Sequence, residues 1–94
     1  MIRDIYGTMK AAGLTNSQVD FSRIWLGRSD RYYSHLIAIG HEPGLATLCG
    51  IKWRLEQLRA QSKSAPDPTL LELQHRIASE IERRAITDRR RPVS

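Results

Sequence analysis

Cysteine and aromatic residues are scarce in this chain: its 94 residues include one cysteine, two tryptophans, three tyrosines and one phenylalanine. A single cysteine excludes an internal disulfide and a cysteine-rich zinc site, and such scarcity is typical of proteins in a reducing cytoplasm. Because Cys49 lies in an apolar pattern and free cysteine is among the most buried residue types, we expect it to be buried and unreactive. We also expect Trp25 and Trp53 to be core aromatics rather than stacking platforms.

Long apolar runs and recognisable catalytic motifs are also missing. The chain has no stretch of about 20 apolar residues that could cross a bilayer, and Asp4 interrupts the start where a signal peptide would be apolar. The histidines, at positions 35, 41 and 75, lack the spacing of a metal site. Nucleophile elbows, phosphate-binding glycine loops and zinc-protease motifs are absent. The sequence therefore predicts a cytoplasmic protein that is not an enzyme, with no metal, no cofactor and no membrane partner.

The charge that is present is mostly positive. Lys and Arg number 15 against 10 Asp and Glu, which gives a net charge of +5. A basic excess favours an anionic partner such as nucleic acid, although many basic proteins bind none. The length suits one compact domain with a short extension. A domain of this size buries only about 60% of its unfolded surface, and self-association is a common remedy, so we expect a homodimer.

Apolar residues recur at helical spacing in five segments, and this pattern predicts an all-α fold. Ser17, three residues before Asp20, resembles a capping box, and Asp67 before Pro68 is typical of a helix start. Glycines follow the first three segments, where a left-handed residue commonly ends a helix. The predicted helices span residues 2–12, 17–26, 29–39, 43–58 and 68–88, with Ser29 and Asp30 as caps of the third and Pro43 as the first residue of the fourth.

The chain is predicted to divide into four parts. Residues 1–60 form the helical domain, residues 61–67 a linker without periodicity, residues 68–88 an amphipathic helix, and residues 89–94 a basic tail. For this tail, phosphate contacts and a solubilising end are equally open interpretations. The fifth helix carries an apolar stripe spaced for packing against another helix, so we expect it to dimerise the chain or to dock another protein. The stripe consists of Leu70, Leu73, Ile77 and Ile81.

Small, apolar and glycine positions form a pattern between residues 17 and 36. Ser22 fits a small residue packed between two helices, and Gly27 fits the glycine of the turn that joins them. With these residues the segment resembles the helix-turn-helix of the lambda-repressor and Cro-like (XRE) regulators. The buried positions and the common serine of that family's recognition helix match Tyr33, Leu36 and Ser34.

The resemblance covers roughly residues 2–58, since residues 40–48 also look like the family's glycine, polar link, proline and apolar helix. It implies a four-helix helix-turn-helix domain followed by a long C-terminal helix. One position departs from the pattern: the family places its small residue four positions before the glycine, where this chain has Arg23. Aligning Ser22 instead implies one extra residue in the turn, covered by Trp25 or Leu26.

The function implied by the resemblance is that of a sequence-specific regulator of bacterial or phage type, which binds double-stranded DNA with its third helix in the major groove. With Tyr33 and Leu36 inward, helical spacing turns the polar residues of that helix outward. Arg31 is the best candidate for reading a base, because its planar fork pairs with both acceptors of guanine. The residues expected to contact DNA are Ser17, Gln18, Arg28, Ser29, Asp30, Arg31, Ser34, His35 and His41.

Two alternatives remain open for the same residues. The polar side of the third helix is also compatible with a solvated helix face that binds nothing. The helices could instead grip a protein, which would make the chain an antitoxin-like or inhibitory adaptor. Binding that weakens with salt and depends on sequence would favour the regulator, whereas negligible affinity for every duplex would favour the adaptor.

Overall fold

The computed structural model describes residues 1–61 and 67–89, and all regular structure in these ranges is helical. The all-α prediction is confirmed. The predicted linker and tail fall largely on residues 62–66 and 90–94, which lie outside the described residues. Within the described ranges, none of the helices combines the length and hydropathy needed to span a membrane. The helices are α1 (Ile2–Ala11), α2 (Gln18–Asp20), which passes directly into a π-helical turn (Phe21–Trp25), α3 (Tyr32–Ile39), α4 (Leu45–Gln61) and α5 (Pro68–Arg89).

Three aromatic rings join the first half of the chain. Phe21 in the π-helical turn meets Tyr33 of α3 edge to face, with 5.2 Å between ring centroids. Tyr6 of α1 lies 5.2 Å from Phe21 and 4.8 Å from Tyr33. Edge and offset contacts of this kind add to the stabilisation that comes from burying the rings. The cluster therefore holds α1, the π-helical turn and α3 together.

The apolar face of α5 completes the core of the same chain. Leu73 and Ile77 are fully buried together with Leu48, Ile51 and Leu55 of α4. The remaining stripe positions, Leu70 and Ile81, are partly buried against the same cluster. The stripe of Leu70, Leu73, Ile77 and Ile81 thus packs against α4 within the chain. A dimer contact through these four residues stays a prediction.

Polar contacts hold α5 at its two ends. Its start is capped as predicted, because the Thr69 amide donates to the Asp67 carboxylate at 2.9 Å. Further along, Glu80 accepts from the Arg84 Nε at 2.8 Å, and Arg84 Nη1 donates to the Pro43 carbonyl at 2.6 Å. The Glu80 carboxylate therefore orients an arginine that ties α5 to the link before α4.

We expect Glu80→Gln to weaken this tie in a pH-dependent way. Hydrogen bonding, first of all from Arg83, lowers the pKa of Glu80 from 4.5 to about 2. A carboxylate with a lowered pKa stabilises the fold above its ordinary pKa, and the contribution is lost as the pH falls from 4.5 towards 2. Because Arg83 is exposed to solvent and screened, the expected loss at pH 7 is about 1 kcal/mol of unfolding free energy.

Urea unfolding of both proteins at pH 7 and at pH 2 checks this expectation. The difference between native chain and variant should shrink at pH 2, where much of the native carboxylate is protonated. If the difference in unfolding free energy is as large at pH 2 as at pH 7, the shape of the side chain at position 80, rather than its charge, accounts for the loss of stability. Glu72→Gln, an exposed carboxylate on the same helix, is the matched control.

Two expectations about the core are wrong. Cys49 is exposed, and Trp53 is 57% exposed, whereas Trp25 is buried as predicted. The cause is the direction in which α4 faces: Leu48, Ile51 and Leu55 turn towards α5, which leaves Cys49 and Trp53 on the opposite side of the helix. The start of α4 also differs, because the helix begins at Leu45 and Pro43 is buried in the preceding link.

Candidate nucleic-acid interface

The start of α2 is held by a local cap. Ser17 Oγ accepts a hydrogen bond from the Asp20 amide at 3.1 Å, which confirms the predicted cap. The Asp20 carboxylate does not return to the Ser17 amide, as a full capping box would. It accepts instead from Thr15 Oγ1 at 2.9 Å and from the Asn16 amide at 3.3 Å. Ser17 is therefore occupied in holding the helix start, although it remains exposed.

The π-helical turn takes up one extra residue before the glycine. The Leu26 amide donates to the Phe21 carbonyl at 3.0 Å, five residues back, where an α-helix would bond four residues back. This widening brings Phe21, Trp25 and Leu26 all into the core. The resemblance predicts an extra residue in the turn, and the wider hydrogen bond between Leu26 and Phe21 lies just before the turn, at the end of the helical segment. Gly27 follows with a φ of 63°, a left-handed value open to glycine at little cost.

Ser22 connects the π-helical turn to α3. Its side chain is fully buried, and Oγ accepts the Tyr33 amide at 3.0 Å. This amide lies in the first turn of α3, where helical amides have no partner of their own within the helix. The cap of α3 thus comes from the preceding helical segment, eleven residues earlier.

The predicted caps of α3 are wrong. α3 begins at Tyr32, with Arg31 as the flanking residue, so Ser29 and Asp30 lie in the connection before it. Asp30 forms an ion pair with Arg23, with 3.4 Å between Arg23 Nε and the carboxylate, and both side chains are largely exposed. The pair partly neutralises the one carboxylate in this connection. It is weak, as exposed pairs are, and it holds neither helix in place.

α3 presents a buried and a polar side. Tyr33 and Leu36 are buried, whereas Arg31, Ser34 and His35 are exposed. Ser34 Oγ donates to the Arg31 carbonyl at 3.1 Å, within the first turn of the helix. In the described part of the chain, the Arg31 guanidinium makes no ion pair and no hydrogen bond. The polar side thus carries a cation that is available to a partner.

Arg28 is held in place at the turn. Its guanidinium carbon lies 5.5 Å from the centre of the Tyr32 ring, and Nη2 donates to Thr47 Oγ1 of α4 at 3.4 Å. A guanidinium has five N–H donors, so most of them remain for other acceptors. Because stacking on Tyr32 restricts the side chain, Arg28 is oriented before any ligand binds.

The other residues that were predicted to contact DNA lie in two separate regions of the structure. Gln18 and Ser29 are exposed near the start of α2 and the turn before α3. His41 lies beyond the far end of α3, after Gly40 (φ 67°), in a groove of about 300 Å³ that Arg3 also lines. α3 has eight residues and is about 12 Å long, which keeps His41 away from Arg31. The sequence does not predict that Arg3 lies beside His41, because the two residues belong to different helical segments.

The anchor of α3 is uncharged. Burial raises the pKa of Tyr33 above its ordinary value, and the neighbouring Tyr6 raises it further, so the ring stays neutral and acts in packing. In residues 1–61 and 67–89 there is no cluster of three or more His, Cys, Asp or Glu side chains that could hold a metal ion. The arrangement offers hydrogen-bond donors and positive charge on a rigid support.

Comparison with known proteins finds a family profile that matches most of the chain. The profile of a family described as a family of unknown function (DUF6626) matches residues 2–90. No curated protein and no solved structure matches the chain. The match extends from α1 through α5, so it includes the helix whose apolar face completes the core.

Proposed function

The chain belongs to the DUF6626 family, whose description assigns no activity, and we propose from its geometry that it is a sequence-specific DNA-binding regulator of bacterial or phage type. One observation carries the proposal. α3 is anchored by Tyr33 and Leu36 and presents Arg31, Ser34 and His35 to solvent. A helix held in this way can insert its polar side into the major groove while its other side stays packed on the domain.

The pairing of α2 with α3 supports a helix-turn-helix. α2 and its π-helical turn form the first helix, Gly27 makes the turn, and α3 is the recognition helix. The Ser22 to Tyr33 hydrogen bond fixes the angle between the two at the base of the turn. A recognition helix must keep its orientation, because base-edge contacts are lost when donors shift by about 1 Å.

The side chains divide into two roles. Arg31, at the start of α3, is placed to pair with guanine, because residues near the start of a recognition helix reach base edges. Arg28, stacked on Tyr32 at the turn, suits a backbone phosphate, which fixes register without reading sequence. Ser34 and His35 add donors on the same side of α3. Asp30 would repel phosphate, and its pair with Arg23 offsets that repulsion.

Titration of labelled duplex DNA by fluorescence anisotropy, at 50 and 200 mM salt, tests the proposal. A pool of random duplexes should first be enriched for bound sequences, and the enriched duplex is then compared with the unselected pool. If about four phosphates are neutralised, the higher salt should weaken binding by about 100-fold, and the enriched duplex should bind tighter at both salts. Negligible affinity for every duplex at both salts would overturn the proposal.

The second candidate is a protein-interaction module, and two exposed apolar side chains favour it. Leu71 is 38% and Ile86 is 44% exposed on the outer side of α5. Apolar side chains on an outer helix face can dock a protein partner, although single exposed residues are common on any surface. In that case substitution of Leu71, and not of Arg31, would abolish partner binding.

A further inference from the structure

An exposed apolar patch lies on the side of α4 that faces away from α5. Trp53 is 57% exposed, and Ile24 of the π-helical turn, 43% exposed, lines the same groove of about 490 Å³. Leu14 and Leu58 also line this groove. A contiguous apolar patch that includes an exposed tryptophan is a feature of interaction sites, since tryptophan dominates binding hot spots.

The side of α4 around Trp53 carries few charges along several turns, because Glu56 is its one charged residue within about 60° of Trp53 and lies at the edge of that sector. Helical geometry places five uncharged exposed residues of α4 within about 60° of Trp53 around the helix axis. Most of them are small, so another helix could approach closely. They are Ala46, Cys49, Gly50, Gln57 and Ala60.

The charges at the edge of this side are arranged for self-association. Lys52 and Glu56 lie on one edge and form an ion pair within the chain, with 3.4 Å between Nζ and the carboxylate. They stand two residues before and two residues after position 54. If a second α4 packs antiparallel about an axis near positions 53 and 54, each Lys52 comes level with the partner's Glu56. On the opposite edge Arg54 comes level with the partner's Arg54, and Gln57 and Gln61 beside it offset this repulsion, because their side-chain carbonyls can accept from a guanidinium.

We propose that this side of α4, centred on Trp53, is the interface with a second copy of the chain, packed antiparallel about a two-fold axis. The same surface then meets itself, and Lys52 and Glu56 pair by symmetry with the partner's Glu56 and the partner's Lys52. The two Trp53 rings lie side by side near the axis, where burial is greatest. This assignment is independent of the DNA-binding proposal, because it uses none of the residues placed on α3 or at its turn.

The interface is small. Positions 46 to 60 of α4 span about 22 Å, which puts the contact at the low end of specific interfaces. We therefore expect a reversible dimer whose mass changes with concentration. Sedimentation equilibrium, without DNA, should show mostly monomer at low concentration and mostly dimer at about 100 times that concentration.

Trp53→Lys should abolish this change of mass and leave a monomer throughout the concentration range. Leu71→Lys, which places the same charge on the exposed side of α5, is the matched control and should dimerise as the native chain does. Equal thermal unfolding of the two variants at low concentration verifies that Trp53→Lys is folded. A dimer that persists in Trp53→Lys, or a native chain that stays monomeric, would overturn the proposal.

Charge reversal tests the antiparallel arrangement. Lys52→Glu gives a chain with two acidic edge positions, and Glu56→Lys gives one with two basic edge positions. Each variant alone should be more monomeric than the native chain, whereas an equal mixture of the two should form a mixed dimer. If the substitutions acted only by removing the ion pair within each chain, both variants would be less stable but would not associate with each other. A mixture that stays monomeric therefore contradicts the arrangement.

The single cysteine gives the register directly. In the antiparallel pair the two Cys49 residues are offset by about 14 Å along the helix axes. A bis-maleimide linker of that span should join two native chains, whereas oxidation should give no direct disulfide. Rapid formation of a disulfide dimer would overturn this register, and Trp53→Lys should remove the linker product.

Discussion

Replacing Arg31 with alanine is expected to cost about 1 to 3 kcal/mol of discrimination between the preferred duplex and one altered at the guanine it reads, a loss of roughly 5- to 150-fold. The reason is geometric. Arg31 flanks the start of α3, makes no contact with the described protein that would compete for its guanidinium, and stands on a helix whose opposite side is buried. A bidentate pair with guanine depends on such a fixed support, and alanine offers no replacement donor.

Two further substitutions distinguish recognition of a base from electrostatic attraction to the phosphates. Arg28→Ala should weaken binding to all duplexes alike and lower the salt dependence, because a phosphate contact carries no sequence information. Arg59→Ala removes an exposed arginine on α4 that lies outside both proposed interfaces and should change neither quantity. Affinities of the three variants for the preferred and the altered duplex at two salt concentrations give the comparison. If Arg31→Ala behaves as Arg28→Ala does, then α3 does not read sequence through this residue.

Replacing Ile77 with alanine is expected to lower the free energy of unfolding by about 2 to 5 kcal/mol. Ile77 is fully buried in the cluster that α5 shares with α4, so the shorter side chain leaves a cavity in that cluster. Domains of this size are stable by only about 5 to 14 kcal/mol, so the loss is a large part of the total. Leu71→Ala, on the exposed side of the same helix, should cost well under about 1 kcal/mol.

Thermal and urea unfolding at low protein concentration measure this difference without a contribution from association. The predicted outcome depends on α5 being part of the core of a single chain. If α5 instead met a second copy through its stripe, Ile77→Ala would lower the dimer mass and leave monomer stability almost unchanged. Equal unfolding free energies for the Ile77 and Leu71 variants would contradict the intrachain contact.

Helix ends that are held by residues close to them in the sequence can be predicted from the sequence. Ser17 caps α2 and Asp67 caps α5, while Gly27 and Gly40 adopt the predicted left-handed conformation. Each of these features joins groups only a few residues apart, so residue type and spacing suffice to predict it. The start of α3 was misplaced for the complementary reason: its first amides are capped by Ser22, a residue of the previous helical segment.

The sequence predicts which residues of α3 are exposed, but it does not predict the contacts that each candidate DNA-contacting residue makes within the protein. Helical spacing from Tyr33 and Leu36 placed Arg31, Ser34 and His35 outward, and the structure has them exposed. Helical spacing does not show which side chain of the protein an exposed charged residue contacts. The Asp30 pair with Arg23 and the stacking of Arg28 on Tyr32 join side chains whose distance depends on how the turn folds.

By itself, the amino-acid order determined that the chain is helical, where most helices stop and which residues of α3 turn outward, because those properties arise from contacts within one or two turns. Only the packing of the helices decided which side of α4 is covered. Leu48 and Ile51 meet α5, whereas Cys49 and Trp53 are left to solvent. Both sides of α4 carry apolar residues, and burial depends on what lies across from a residue, which periodicity within one helix does not contain.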